Sequence, residues 1–264
     1  MAASWIGALA AAGCLGDDDG LGGAAPRALV AIETSAGEPV WELAYDPACR
    51  LIAVDVHDAP PASLEPRGYR NPLGLGAGAW TVRFGYDDEG HLATVRLVDS
   101  LRGGRRERRY EVLREGGRTA GLAPTSATFE GLPIDPGPQA VRFAYDSAGR
   151  IDSVVYADGY TIDFDFDERG DLALADYQRT PSGRPTREFY DYAAAPLNPF
   201  SALPLRYVTT YATFWAPRLA TTASFDLRTH AYEHEGGRPV RHAELTRGDT
   251  AAVSYLAYEP LPCL

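Results

Sequence analysis

The sequence predicts an all-β protein: an antiparallel β-hairpin meander, laid out as a twisted or curled extended sheet. Three observations predict it. A hairpin-like segment recurs four times, the composition favours strands and turns, and no coiled-coil heptad appears anywhere in the 264 residues. The copies run Trp41–Leu51, Val82–Leu92, Val141–Ile151 and Ile162–Leu172. Self-similarity of this kind reports how a chain is built before it reports what the chain does.

Each copy has a physical reading. Apolar residues alternate with polar or small ones up to an aromatic: Trp41, Leu43 and Tyr45; Val82, Phe84 and Tyr86; Val141, Phe143 and Tyr145; Ile162, Phe164 and Phe166. Period-two alternation marks a half-buried strand. An Asp follows the aromatic, and three residues later stands Gly90, Gly149 or Gly170. Asp46, Asp87, Asp146 and Asp167 thus open type I turns, with carboxylates placed to accept backbone N–H bonds, while glycine allows the positive φ at the turn's end. In the first copy Cys49 replaces that glycine. On the outgoing strands the apolar residues fall at an odd spacing: Leu51 then Val54, Leu92 then Val95, Ile151 then Val154, Leu172 then Ala175. The strand therefore changes face, which calls for a β-bulge or apolar residues on both faces.

Composition suits this architecture, with 27 Gly, 20 Pro, 15 Tyr, 9 Phe and 4 Trp. The length allows a sizeable core. A net charge of −11 disfavours nucleic acid as a partner, because polyanions are repelled unless the cations cluster. All 25 basic residues are arginine.

Along the chain, residues 28–264 read as a single all-β repeat domain, with strands expected near 28–35, 39–46, 50–57, 79–86 and 91–99. A Pro/Gly-rich loop fills 59–78, and Leu101–Arg118 reads as a degenerate hairpin turning at Gly103-Gly104 and Gly116-Gly117. Thr125–Phe129 reads as a further strand. The last two copies place their aromatics 21 residues apart, so 139–178 should be a four-stranded meander. Leu205–Phe214 reads as a strand or a short helix, with strand favoured, and Tyr232–Pro239 as a worn terminal copy of the repeat.

No segment approaches the roughly 20 apolar residues of a membrane-spanning helix. The start is different: Trp5 to Gly13 is a short apolar run ending in small residues before Cys14. It resembles a bacterial lipoprotein signal peptide, residues 1–13, with the lipobox Ala11-Ala12-Gly13-Cys14. By that resemblance Cys14 carries lipid, residues 14–27 form a flexible acidic and Gly-rich tether, and the partner is a membrane reached through the anchor. Secretion after cleavage behind Ala12 is the alternative. With Cys14 so assigned, Cys49 and Cys263 remain, either as a disulfide closing the first hairpin onto the C-terminus or as two unpaired thiols.

The Tyr-Asp-x-x-Gly-Arg-Ile pattern of Tyr145–Ile151 resembles the YD repeat of Rhs-type proteins. The order of Cys14, the hairpins from Tyr45 to Tyr177, Asn198–Phe200 and Tyr232–Pro239 resembles small bacterial envelope lipoproteins of unknown function. The resemblance covers about two-thirds of the chain and implies an envelope-anchored antiparallel β-protein, in the outer membrane or at the cell surface, otherwise periplasmic or secreted. It brings no catalytic residue with it.

Candidate chemistry is sparse. Asp163, Asp165 and Asp167 with Gly170 superficially resemble a calcium loop, but Phe164 and Phe166 alternate with them. Same-face strand positions lie about 7 Å apart, and Glu168 stands where such a loop needs Gly. A solvated acidic face is expected, with no metal or other cofactor. His230, His234 and His242 read as surface residues. Arg102, Arg105, Arg106, Arg108 and Arg109 form the one basic concentration, either an exposed hairpin edge or a surface for phosphate or acidic polysaccharide. A non-enzymatic binding or scaffold protein with an envelope polysaccharide or protein partner is the leading expectation. A diverged fragment of a YD-repeat toxin shell and an exported hydrolase using strand carboxylates are the alternatives.

Overall fold

The computed structural model describes residues 14–15, 27–57, 79–101, 103–136, 141–157, 159–178, 186–191, 198–199, 203–207, 222–223, 228–235, 238–246 and 249–261. Within them the protein is an antiparallel β-meander, as the alternation and turn signals predict. A two-residue strand β1 (Cys14–Leu15) pairs with β2 (Arg27–Glu33). The meander continues through β3 (Pro39–Tyr45), β4 (Leu51–Val56), β5 (Trp80–Tyr86), β6 (Leu92–Leu101), β7 (Gly104–Glu115) and β8 (Arg118–Phe129). β9 (Leu132–Ile134) folds back on the end of β8. Next come β10 (Val141–Tyr145), β11 (Ile151–Tyr156), β12 (Thr161–Phe166), β13 (Leu172–Gln178) and β14 (Thr186–Asp191). β15 (Thr222–Ala223), β16 (Arg228–Glu235), β17 (Arg238–Thr246) and β18 (Asp249–Pro260) complete it.

Two pairings join strands that are not sequence neighbours. β18 pairs with β2 over six positions, and β8 pairs with β10 at Leu122↔Val141 and Gly121↔Arg142. Gly121 has a specific reason there, since a Cβ would collide with the Val141 carbonyl oxygen. The β14–β15 and β15–β16 ladders are also two positions long. Among the described residues β2–β8 and β10–β18 thus make a sixteen-strand curled meander with thin seams, rather than a regularly closed barrel, and the short β1 and β9 are additions to it.

One face of this sheet is buried in a single apolar cluster that runs from Leu29 to Leu256. Trp41 and Trp80 meet edge-on in it, with ring centroids 5.9 Å apart. Val54, Val82, Val95, Leu97, Val154, Ile162 and Leu172 are fully buried along the same face. Burying these side chains at about 25 cal/mol per Å² of apolar surface is the main driving force for the meander.

The face change on the outgoing strands is a β-bulge, repeated four times. Tyr45 pairs with Leu51 and Ala44 with Ala53, which leaves Ile52 as the extra residue. The same register slip makes Ala93, Asp152 and Ala173 the extra residues of the other copies. Each bulge turns the following apolar residue, Val54, Val95, Val154 or Ala175, back into the core.

Some local readings change. Cys14 and Leu15, assigned to the tether, lie in β1, and Arg27 at its other end opens β2. Thr125–Phe129 is the far end of β8 rather than a separate strand. Pro204–Tyr207 is a 3₁₀ turn where a strand was expected from Leu205 on, and residues 208–214 lie outside the described residues. Proline lacks the N–H that a ladder requires but suits the first position of a helical turn. Tyr207 from this turn packs on Phe143, with centroids 5.3 Å apart, and Leu203 is fully buried, so the segment contributes to the core.

Candidate functional site

The repeat residues meet at the turns. In the first hairpin the Cys49 amide donates to the Asp46 carbonyl (2.9 Å), and the Asp46 carboxylate accepts the amides of Ala48 and Arg50, each at 2.9 Å. Gly90, Gly149 and Gly170 close their turns in the same way, onto the carbonyls of Asp87, Asp146 and Asp167. All three glycines have φ of +84°, and Cys49 adopts +60°. Burial acts to raise the Asp46 carboxyl, but the hydrogen bonds from Arg50 and Ala48 hold it below the usual range. The Arg150 amide does the same for Asp146, with further help from its guanidinium.

The arginine after the turn then reaches the next hairpin. Arg50 pairs with Asp46 at 2.7 Å while its guanidinium lies 4.6 Å from the Tyr86 ring centroid. Arg150 pairs with Asp146 at 2.7 Å and lies 4.5 Å from the Phe166 ring. Arg118 takes the same position over Tyr145, at 5.4 Å. Tyrosines of the motif also donate across the sheet, Tyr45 to the Leu29 carbonyl (2.8 Å) and Tyr86 to that of Leu51 (2.7 Å). The Asp, Arg, Gly and aromatic of the motif therefore form a ladder joining successive hairpins, and their role is architectural.

Cys14 lies in β1, paired in register with Ala28. Cys49 is 5 % exposed, and Cys263 lies outside the described residues. His234 is exposed, as read from the sequence, whereas His230 and His242 are part-buried. His230 Nδ1 lies 3.0 Å from His242 Nε2, and Tyr232 stacks on the His242 ring. Burial first, and His230 second, push His242 down to about 3. His230 and His234 share a strand, but the ring that meets His230 is that of His242 on the neighbouring strand, which only the β16–β17 register reveals.

Strand alternation divides the arginine run. Arg106 and Arg108 turn inward around Asp99, which is 3 % exposed; Arg106 Nε donates to it at 2.9 Å and Arg108 Nη2 at 3.2 Å. Arg105 and Arg109 turn outward, and Arg102 lies outside the described residues. On the exposed face Glu107 accepts from Arg96 (2.8 and 2.9 Å), Arg109 (3.0 Å) and Arg105 (3.3 Å). The Arg96 hydrogen bonds, followed by those of Arg109, bring Glu107 down to about 2. Asp55 similarly holds Arg83, at 3.0 and 3.1 Å.

The carboxylates of β11–β13 stay on the exposed face. Asp163 and Asp165 are exposed, and Asp163 stands directly opposite Asp176. Partial burial, then Asp176, Asp152 and Asp165, raise the Asp163 carboxyl. Asp167 belongs to its turn, where it accepts the amides of Arg169 and Asp171. Among the described residues Asp87, Glu89 and His91 bring one ligand atom each within 4.8 Å of one another. Asp87 already accepts the Glu89 and His91 amides, and Arg114 approaches its other oxygen at 3.9 Å, so turn and ion-pair chemistry account for the group.

A cleft of about 690 Å³ opens over β2, β3 and β18, with alanines and Leu43 in its wall and Glu33, Glu42, Asp46, Asp55 and Glu259 around it. Three of these acids are engaged, Glu42 by His57, Asp46 by Arg50 and Asp55 by Arg83.

No family model matches the chain, and no curated protein matches it. Among solved structures, a porin-like protein from Bacteroides uniformis is similar at 13% identity and a TM-score of 0.29, over 69% of this chain and 91% of that one. That likeness carries no argument about function. The exposed face itself is informative. A membrane-spanning barrel presents an apolar band to lipid, whereas the outward positions of β5–β7 and β11–β13 carry Arg83, Arg96, Glu107, Arg109, Asp163, Asp165 and Asp176.

Proposed function

We propose that the protein is a lipid-anchored, non-enzymatic binding or scaffold protein of a bacterial cell envelope. The observation that carries this reading is the lipobox Ala11-Ala12-Gly13-Cys14 placed ahead of a sheet whose exposed face is charged. A sheet of that kind suits water rather than lipid, so attachment to a membrane would fall to Cys14. In this reading residues 1–13 are removed and Cys14 becomes the acylated first residue, with the β-domain held at the outer membrane or cell surface. A Cys49–Cys263 disulfide would fit an oxidising compartment and would contribute on the order of 5 kcal/mol by the chain-entropy argument.

The placement of Asp163 and Asp165 supports binding over hydrolysis. A hydrolase needs carboxylates converging on a substrate cleft, and these two stand on the exposed sheet face, away from the residues around the cleft. Mass spectrometry of the native N-terminal peptide tests the reading. Expected is a peptide beginning at Cys14 with a thioether-linked diacylglycerol, and loss of the protein from the membrane fraction on Cys14→Ala. An unmodified chain beginning at Gly13 or Cys14 would overturn the anchor.

A further inference from the structure

The exposed face of β5–β7 holds an arrangement that the linear sequence conceals. Arg83 on β5 stands in register opposite Arg96 on β6, and Arg96 stands opposite Arg109 on β7. Like charges directly opposite on neighbouring strands destabilise a sheet, and here the opposition occurs twice in succession. Strand spacing puts the three backbone positions about 5 Å apart from one to the next. Arg105 lies four residues from Arg109 on the same face of β7. The side chains of Arg83, Arg96, Arg105 and Arg109 are 44%, 44%, 59% and 60% exposed.

Two carboxylates serve these four guanidiniums, Asp55 for Arg83 and Glu107 for the others. Glu111, further along β7, makes no ion pair with them, and the Glu130 carboxylate accepts the Arg105 backbone amide. In register the row ends at Ala53 on one side and Ser126 on the other, so the only acid at either end is Asp55, set diagonally to Arg83. Each guanidinium is a planar fork of five N–H donors. A carboxylate at one edge leaves the remaining donors pointing to water, oriented and available for another anion.

We propose that the Arg83–Arg96–Arg109 row, extended by Arg105, is a binding surface for a linear anionic polysaccharide laid across the strands. The proposal rests on the non-enzymatic binding reading above and names its ligand class. Spacing favours a chain of regularly placed carboxylate, phosphate or sulfate groups over a single small anion. A bilayer fits less well, because surface binding to lipid joins basic residues to an apolar stripe, and among the described side chains of β5–β7 Leu113 is the only exposed large hydrophobic. The overall charge of −11 does not forbid a local site. Screening at physiological ionic strength acts over about 8 Å, and the aspartates of β11–β13 begin three strand spacings from β7.

The experiment measures binding of the purified full chain to dextran sulfate and to polygalacturonate at low ionic strength, with neutral dextran and phosphatidylglycerol vesicles as the other arms. Expected is binding to both polyanions that weakens steeply with salt, and none to neutral dextran. The triple variant Arg83→Gln, Arg96→Gln, Arg109→Gln should bind about tenfold more weakly with an unchanged circular dichroism spectrum. Arg96→Lys with Arg109→Lys keeps charge and fold while removing the forks, and should also weaken binding. Absence of binding at low salt, binding by both variants as tight as that of the unaltered chain, or binding to the vesicles alone would overturn the proposal. Acylation of Cys14 is read separately by mass spectrometry, so failure here leaves the anchor intact.

Discussion

Two pairs of hairpins in this sheet share one mechanical design and differ in surface charge. The first pair is β3–β4 with β5–β6, and the second is β10–β11 with β12–β13. In each, an Asp-opened turn delivers an arginine onto the aromatic of the following hairpin, Arg50 onto Tyr86 and Arg150 onto Phe166. In each, the outgoing strands are bulged at the same place. On the exposed face the first pair carries Arg83 and Arg96 together with Glu42 and Asp55, whereas the second carries Arg142 against Asp152, Asp163, Asp165 and Asp176. Turn, bulge and buried face therefore define the architecture, while the outer positions are free to take either sign. That freedom is where a binding specificity can be written without disturbing the fold.

The strongest test of the shared design is in the core. Trp41→Ala in the first pair and Ile162→Ala in the second each empty a fully buried site, and should cost about 3–5 and 2–5 kcal/mol of unfolding free energy in a urea titration. Independent transitions for the two variants would show that the pairs do not share one core. Next in size are the turn glycines. Gly90→Ala and Gly170→Ala place a Cβ on a residue at φ +84° and should each cost about 1–2 kcal/mol. A cost at only one turn would break the equivalence. Smaller again is the aromatic exchange. Tyr86→Phe removes the bond to the Leu51 carbonyl and should cost about 1 kcal/mol, while Phe166→Tyr should recover a comparable bond at the Ile151 carbonyl. A thermal melt of each variant checks the pair, and loss of stability in Phe166→Tyr would show that the second ladder is spaced differently.

What the sequence could and could not disclose follows the same division. The Asp-x-x-Gly turns, the alternation and the odd step from Leu51 to Val54 are local, so strands, turns and bulges were legible. Cross-hairpin partners were not. Nothing within the Arg50 segment says that its guanidinium lies over Tyr86, because that depends on two hairpins lying side by side. The run from Arg102 to Arg109 looked like one basic cluster, yet alternation sends Arg106 and Arg108 to Asp99 and leaves Arg105 and Arg109 outside. The row they join includes Arg83 and Arg96, distant in sequence and assembled only by register. His242 escaped for the same reason, since its partner lies across β16 and β17. Pro204–Tyr207 was missed because apolar residues with Thr and Tyr read as strand, and proline decided otherwise.

The smallest effect expected from the comparison is also the most specific to it, because the two charged faces should respond to acid with opposite signs. Glu107, beside the arginine row, is lowered from 4.5 to about 2 by its hydrogen bonds to Arg96 and Arg109, against burial. A carboxyl held low in the folded state binds fewer protons than in the unfolded chain. Its stabilisation is complete above 4.5 and is lost as the pH falls toward 2. Asp163 is raised above its ordinary 3.8 by burial and then by Asp176, Asp152 and Asp165, so the folded state binds the proton more readily. Its charged form destabilises the protein at neutral pH, and acidification through the raised value relieves that strain until both states are protonated. Unfolding titrations of Glu107→Gln and Asp163→Asn across the acid range separate the two. Glu107→Gln should lower stability near neutrality and flatten the loss below 4.5, while Asp163→Asn should raise stability near neutrality and gain nothing on acidification. Shifts of the same sign in both variants would mean that the arginine row and the aspartate face do not act as separate charged surfaces.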